Sequence, residues 1–298
     1  VDYAGEACGA AGKNVSFTMT TNGLLLDDAA VGYLDKNMEN VVISLDGRRE
    51  THDALRKTAG GRGSFDTVAA NAKRFRAARG DRRYYIRGTF TRANLDFCKD
   101  ILRLNDLGFD QISVEPVVLA DGNPLAVTKE DLPAVFAEYE SLAAEYIKRR
   151  RTDKWFNFFH FMIDLEQGPC VYKRLNGCGA GGEYVAVTPS GDVYPCHQFI
   201  GVGGCLMGNV LEGDKFDLDG EISKKFRSSN VYTKDGCASC FAKYFCGGGC
   251  AANSVIHEGD IDKTNPVYCA IMKKRLELSL AIAGIERAER ERAAVETT

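Results

Sequence analysis

The stretch Cys237–Cys250, CASCFAKYFCGGGC, constrains this chain more than any other, because it sets four thiols in the order C-x2-C-x5-C-x3-C. Upstream, Cys178, Gly191 and Cys196 read C-x12-G-x4-C, and Cys269 follows downstream. Nine of the eleven cysteines lie between Cys170 and Cys269. A thiolate is a soft metal ligand, and glycines between close thiols let the backbone fold around a metal centre. Three readings compete. Disulfides need an oxidising compartment, whereas this chain shows no secretory segment and is large enough to bury a core of its own. Zinc takes four thiolates per site, with pairs matched to pairs. The spacing here is asymmetric, with single cysteines outlying on both sides, and suits iron–sulfur cubes better.

The bulk properties bound the rest. A length of 298 residues suits one large or two medium domains, and a hydrophobic content of 45% supplies a real core. A net charge of −3 and a pI near 5.9 argue against a general nucleic-acid binder. The basic run Lys148–Arg151 reads as the solvated end of a helix. No apolar run reaches membrane-spanning length, so no membrane partner is expected, and the cysteines together with the missing signal segment point to the cytoplasm.

Along the first half, strand and helix patterns alternate. Val15–Thr21, Val41–Leu45, Tyr84–Phe90 and Gln111–Pro116 read as strands; Asp27–Met38, Phe65–Ala78, Asn94–Leu107 and Lys129–Arg151 read as helices. Four strand–helix units predict an α/β fold with parallel strands and right-handed crossovers, and chemistry at the carboxyl ends of the strands. Period-2 alternation puts Val42, Ser44 and Asp46 on one face of their strand, and Tyr85, Arg87 and Thr89 on one face of theirs. A guanidinium on a buried strand needs an anion, so Arg87 meets either a ligand or an ion-pair partner such as Asp46 or Glu115. Four strands alone leave an open edge. Glu183–Thr188, the turn PSGD and Val193–Tyr194 read as a hairpin that returns Cys196 towards Cys178. Cys98 and Cys205 read as unligated thiols, and His160 as a satisfied core histidine.

The full ordered cysteine set resembles the SPASM domain of radical S-adenosylmethionine (SAM) enzymes, and TTNG, SLDG and SVEP resemble later strands of a radical SAM barrel. NFFHFMIDLEQGPC, KRLNGCGAGGEYVAVTPSGDVYPCHQFIG, NVYTK and KYFCGGGCAAN are similar to the maturases of SCIFF peptides, small cysteine-rich precursors. The resemblance implies a partial radical SAM (β/α) TIM-like barrel over 1–152, a bridging segment and SPASM domain over 153–272, and a C-terminal helix over 273–298. It implies two auxiliary [4Fe-4S] clusters. One is held by Cys178, Cys196 and Cys250, with Cys170 a candidate fourth ligand. The other is held by Cys237, Cys240, Cys246 and Cys269. It also implies SAM contacts from Ser44 and Arg87, with Asp46 supporting them. The family's SAM-cleaving C-x3-C-x2-C and its GGEP-like motif are absent from this sequence. The expectation is therefore an N-terminally truncated chain that does not cleave SAM alone, with a third cluster in the missing part.

By the same resemblance the enzyme joins a peptide cysteine sulfur to a carbon in a ribosomally made, cysteine-rich precursor, forming a thioether. A flavodoxin or ferredoxin serves as electron donor. For the SCIFF-like members the resemblance favours three protein thiolates and one open iron at the first cluster, where the peptide sulfur binds. Two alternatives stand beside this: a sulfatase-type maturase that makes formylglycine, and a non-enzymatic iron–sulfur electron-transfer module.

Overall fold

In the computed structural model, residues 1–164, 168, 170–213 and 220–296 are described. Residues 165–167 and 169, inside the aromatic bridging stretch, lie outside the described residues, as do 214–219 and 297–298. The chain divides into two compact units: Val1–Val117 with Pro133–Met162, and Val118–Leu132 with Ile163–Thr298.

The first unit is a parallel sheet covered by helices. After helix α1 (Asp2–Ala10), strands β1 (Thr18–Thr21), β2 (Asn40–Ser44), β3 (Tyr84–Phe90), β4 (Gln111–Pro116) and β5 (Asn157–Phe158) pair in sequence order, every pair parallel. The helices between them are α2 (Asp28–Asn37), α3 (Arg49–Leu55), α4 (Phe65–Arg79), α5 (Phe97–Asp106) and α6 (Leu132–Arg150). The expected α/β fold with parallel strands is present, and the sheet carries a fifth strand where the sequence predicted four. Strand β5 escaped the sequence because it is two residues long inside an aromatic run, too short for a period of two to register.

Alternation along each strand sorts the two faces of this sheet. Val41, Ile43, Ile86, Ile112, Val114 and Phe158 are buried. The buried helix residues Val68, Ala72, Phe75, Ile101, Leu104 and Leu142 supply the apolar layer such a sheet needs on one face. Val42, Ser44, Tyr85, Arg87, Thr89, Ser113 and Glu115 alternate with the buried set and stay partly or fully open. In β2 the alternation ends at Ser44: Asp46 does not continue on the open face but turns in and is 4% exposed. Local caps explain two boundaries. Asp27 accepts from the Ala30 N–H and starts α2. The helix expected from Asn94 begins later: Thr91 and Asn94 form a reciprocal box around a 3₁₀ turn (Arg92–Asn94), and α5 starts at Phe97 after Asp96.

The second unit holds the cysteine-rich half. It contains the helices α7 (Val171–Asn176), α8 (Glu221–Ser228), α9 (Lys243–Cys246), α10 (Ala251–Glu258) and α11 (Pro266–Glu296). Its antiparallel sheet has β6 (Ala186–Val187), β7 (Asp192–Tyr194) and β8 (Gly208–Asn209). The expected hairpin is β6–β7, and β8 adds a strand that the sequence did not announce. Cys196, Phe199, Phe226, Ala252 and Ile261 form a small core. Helix α11 is continuous and begins before Cys269, so the thiol sits on its first turn rather than on a loop ahead of it. No helix among the described residues is long and apolar enough to cross a membrane.

Candidate functional site

Close backbone packing builds the thiol-rich site. Gly247, Gly248 and Gly249 follow one another with φ of 67°, 86° and 76°, the left-handed region that side chains rarely enter. This run turns the chain sharply between Cys246 and Cys250. A Cβ on Gly247 would stand 2.6 Å from the Gly177 Cα and 2.6 Å from the Lys173 carbonyl oxygen. The turn after Cys246 therefore lies directly against the end of α7, which leads into Cys178.

Cys237, Cys240, Cys246 and Cys269 line one cavity of about 140 Å³, with Gly236, Gly248, Thr264, Met272 and Lys273 in the same wall. Burial pushes the Cys246 thiol up to about 11, and burial followed by neighbouring thiols also raises Cys237 and Cys269. Backbone groups of Gly249 and Gly248 lower the Cys246 pKa against that burial, and the Thr264 side chain does the same for Cys269. Cys178, Cys196 and Cys250 form a second set. Cys178 and Cys250 are electrostatic neighbours of Cys196, and Cys178 of Cys250. Backbone groups of Gln198 and Phe199 lower the Cys196 pKa against burial, and those of Asn253 and Ala252 do so for Cys250. Cys250, although four residues from Cys246, thus has Cys178 and Cys196 as its thiol neighbours. Cys170 is exposed where α7 begins.

These donor sets fit iron–sulfur clusters. Among the described residues no three His, Cys, Asp or Glu side chains converge on a single-ion site. Four thiols instead line one shared cavity. All-thiol ligation is the setting of a multi-iron cluster. Loading must displace protons from the buried thiols, which hold them more tightly than free cysteine does.

Sequence reasoning passed over three residues around these thiols. Tyr184 Oη lies 3.2 Å from His197 Nδ1, and burial together with Cys196 and Cys178 raises its pKa. His197 itself is exposed. Tyr172 also has Cys178 as a charged neighbour. Lys234 is 6% exposed, one turn before Cys237, and burial lowers its pKa against the pull of Cys237, Asp262, Cys250 and Cys246. Its place three residues before the first thiol was the one available signal. Cys98 behaves as expected, a buried thiol pushed up to about 12 by its apolar surroundings. Cys205 packs partly buried beside the small core.

On the open face of the first unit, Ser44 and Arg87 are register partners in β2 and β3, and Arg87 pairs across to Ser113 in β4. Arg87 is exposed and lines a cavity of about 270 Å³ with Asn40, Val42, Tyr85, Ser113, Glu115 and Phe159. Neither predicted ion-pair partner is its own. Asp46 is held by Arg56 at 2.5 and 3.0 Å and accepts from the Thr89 N–H at 2.9 Å. Glu115 lies 3.2 Å from His160 Nε2. Among the described residues Arg87 makes no ion pair, which leaves its guanidinium available to an anion beside Ser44. Asp46 can only brace the loop after Ser44, since its oxygens are already committed. His160, also 3.2 Å from Ser113 Oγ, is the satisfied histidine the sequence predicted.

No family model matches the chain. It is similar to mycofactocin maturase MftC of Mycobacterium ulcerans (strain Agy99), 30% identical over 272 residues, covering 89% of this chain and 69% of that protein. It is also similar to the cysteine-type anaerobic sulfatase-maturating enzyme of Clostridium novyi (strain NT), 21% identical over 285 residues, covering 90% of this chain and 72% of that one. Among solved structures, anSMEcpe with bound AdoMet matches with a TM-score of 0.77 at 18% identity, over 99% of this chain and 78% of that one. The same protein with AdoMet and the Cp18Cys peptide matches with a TM-score of 0.73 at 17% identity, over 96% of this chain and 80% of that one. At those identities the likeness concerns the fold alone. The chain spans 65% to 69% of the length of the MftC proteins it matches.

Proposed function

We propose, because this chain belongs to the radical SAM peptide maturases, that it is the SAM-binding and SPASM part of an enzyme that forms Cys-derived thioether cross-links in a ribosomally made, cysteine-rich precursor peptide. The observation that carries this reading is the sorting of seven thiols into a four-thiol and a three-thiol set within one unit. When bound, SAM and the iron–sulfur clusters supply the radical and electron-transfer chemistry. The residues of the chain position what reacts. Arg87 binds the SAM carboxylate with Ser44 beside it, a charge-assisted contact suited to a guanidinium. Asp46, fixed by Arg56, keeps the loop after Ser44 in place. Cys237, Cys240, Cys246 and Cys269 close one auxiliary cluster completely, which suits a structural or electron-transfer role. On this reading Cys178, Cys196 and Cys250 would supply one ligand fewer, with Cys170, the candidate fourth, left out of the set. A peptide cysteine would bind as thiolate at the remaining ligand position, held near the carbon it is to join. A low-potential carrier, flavodoxin or ferredoxin, supplies electrons.

The test is the mass of the product. The complete enzyme is incubated with SAM, reductant and a cysteine-rich precursor peptide encoded by a short neighbouring frame. The reading predicts loss of two hydrogens per cross-link and cysteines that no longer react with an alkylating agent. An aldehyde in place of a cysteine side chain would instead identify a formylglycine-forming maturase.

A further inference from the structure

Lys234 is a buried ammonium of the cysteine-rich unit, in which the Arg275 guanidinium is buried as well. Its backbone carbonyl accepts from the Cys237 N–H at 3.2 Å, so a single turn carries it into the first thiol. Its stem runs along the glycine turn: a Cβ on Gly248 would stand 3.2 Å from Lys234 Cδ and 3.5 Å from Cε. The thiols within its electrostatic reach come from both sets, Cys237, Cys246 and Cys269 on one side and Cys250 on the other. Among the described residues it makes no ion pair. Asp262 is the acidic group within its electrostatic reach, and one oxygen of that carboxylate is buried without a hydrogen-bond partner. Lys273 lines the four-thiol cavity but is exposed, so solvent and salt screen it; Lys234 is screened far less.

We infer that Lys234 is a positioning residue for charge, one buried ammonium that holds up the reduction potentials of both auxiliary clusters. The inference rests on the reading that the two thiol sets hold such clusters. Reduction adds one negative charge to a cluster, and a fixed cation nearby stabilises the reduced form more than the oxidised form, increasingly so as the surroundings become drier. Net charge and solvent exposure are among the established levers on cluster potential. A lysine shared between two sites moves both potentials together.

The experiment is a potentiometric titration of the reconstituted chain, followed by electron paramagnetic resonance, for the native protein, Lys234→Met and Lys234→Arg. Two titrating signals in the native protein establish the premise; fewer than two would sink the cluster reading itself and not the lysine's role specifically. In Lys234→Met both midpoints should fall. At each native midpoint the reduced-to-oxidised ratio should drop about tenfold, which is 59 mV for a one-electron couple. Lys234→Arg should keep both potentials. Two clusters at unchanged potentials in Lys234→Met, or a shift at only one, would overturn the inference. If Lys234→Met fails to hold clusters, Lys234→Arg decides. Retention of both clusters at native potentials supports a role for the charge, and loss of them shows that the slot needs the shape of lysine alone.

Discussion

Single residues on the first unit divide into those committed to the fold and those left for a ligand. Arg87 is the second kind, a guanidinium on the open face without an ion-pair partner among the described residues. In the complete enzyme, Arg87→Ala should weaken SAM binding by about 1.5–3 kcal/mol, the worth of hydrogen bonds to a charged group. Calorimetric titration with SAM checks this, and unchanged affinity would return Arg87 to a structural role. His52 is the first kind. It is wholly buried, accepts from the Asp46 N–H at Nδ1 (3.3 Å) and meets Ser64 Oγ at Nε2 (2.9 Å). Ser64 in turn donates to the Arg56 carbonyl at 2.7 Å, which makes Nε2 the protonated nitrogen and the ring neutral. Arg56 and Asp46 pair beside it, so the ring, the carboxylate and the guanidinium hold the loop after β2 together. Burial lowers the His52 pKa below its ordinary 6.5, outweighing the pull of Asp46 and Asp53, while Arg56 pushes the same way as burial. A histidine with a depressed folded-state pKa favours the fold while neutral, and that contribution is lost as pH falls below about 6.5. The melting temperature of the native protein should therefore fall more between pH 7 and pH 5 than that of His52→Asn. Equal falls would show that the ring does not hold its neutral state.

At the scale of elements, the glycine turn between α9 and α10 is the joint on which the thiol sites depend. Gly247→Ala would force a side chain into the left-handed region, at about 1–3 kcal/mol, and drive its methyl into Gly177 and the Lys173 carbonyl. It should lower the melting temperature and reduce bound iron; Gly249→Ala has ordinary contact distances to Tyr268 and should suffer mainly the backbone penalty. Equal iron loss in both variants would argue that the turn, and not the close approach, matters. Much of this level was legible in sequence. Strands β3 and β4 begin and end where the period-2 pattern places them, because their alternating residues face an apolar layer on one side only. The assignment of Cys250 to the set of Cys178 and Cys196 rests on family likeness and stays part of the proposed function. What was not legible depends on contacts distant in sequence. Strand β5 exists only because β4 is there to pair with it, and α3 only because Arg48 binds Asp96 and Asp100 and Arg56 binds Asp46. Lys234 reads as an ordinary surface lysine until the fold closes over it.

The whole chain combines a parallel α/β sheet whose open face carries Ser44 and Arg87 with a cysteine-rich unit in which four thiols line one cavity. Its relatedness to the MftC maturases supplies the family, and the two thiol sets supply the reason such a chain needs its second half. The proposed function requires that this half carry two cubes, one closed by four thiolates and one by three. Anaerobic reconstitution of the 298-residue chain, followed by iron and sulfide analysis and Mössbauer spectroscopy, tests that requirement directly. The account predicts about eight irons and eight sulfides per chain, all as [4Fe-4S], falling to about four of each in Cys240→Ala. A chain that instead binds zinc with little iron, or one whose iron content is unchanged in Cys240→Ala, would contradict it.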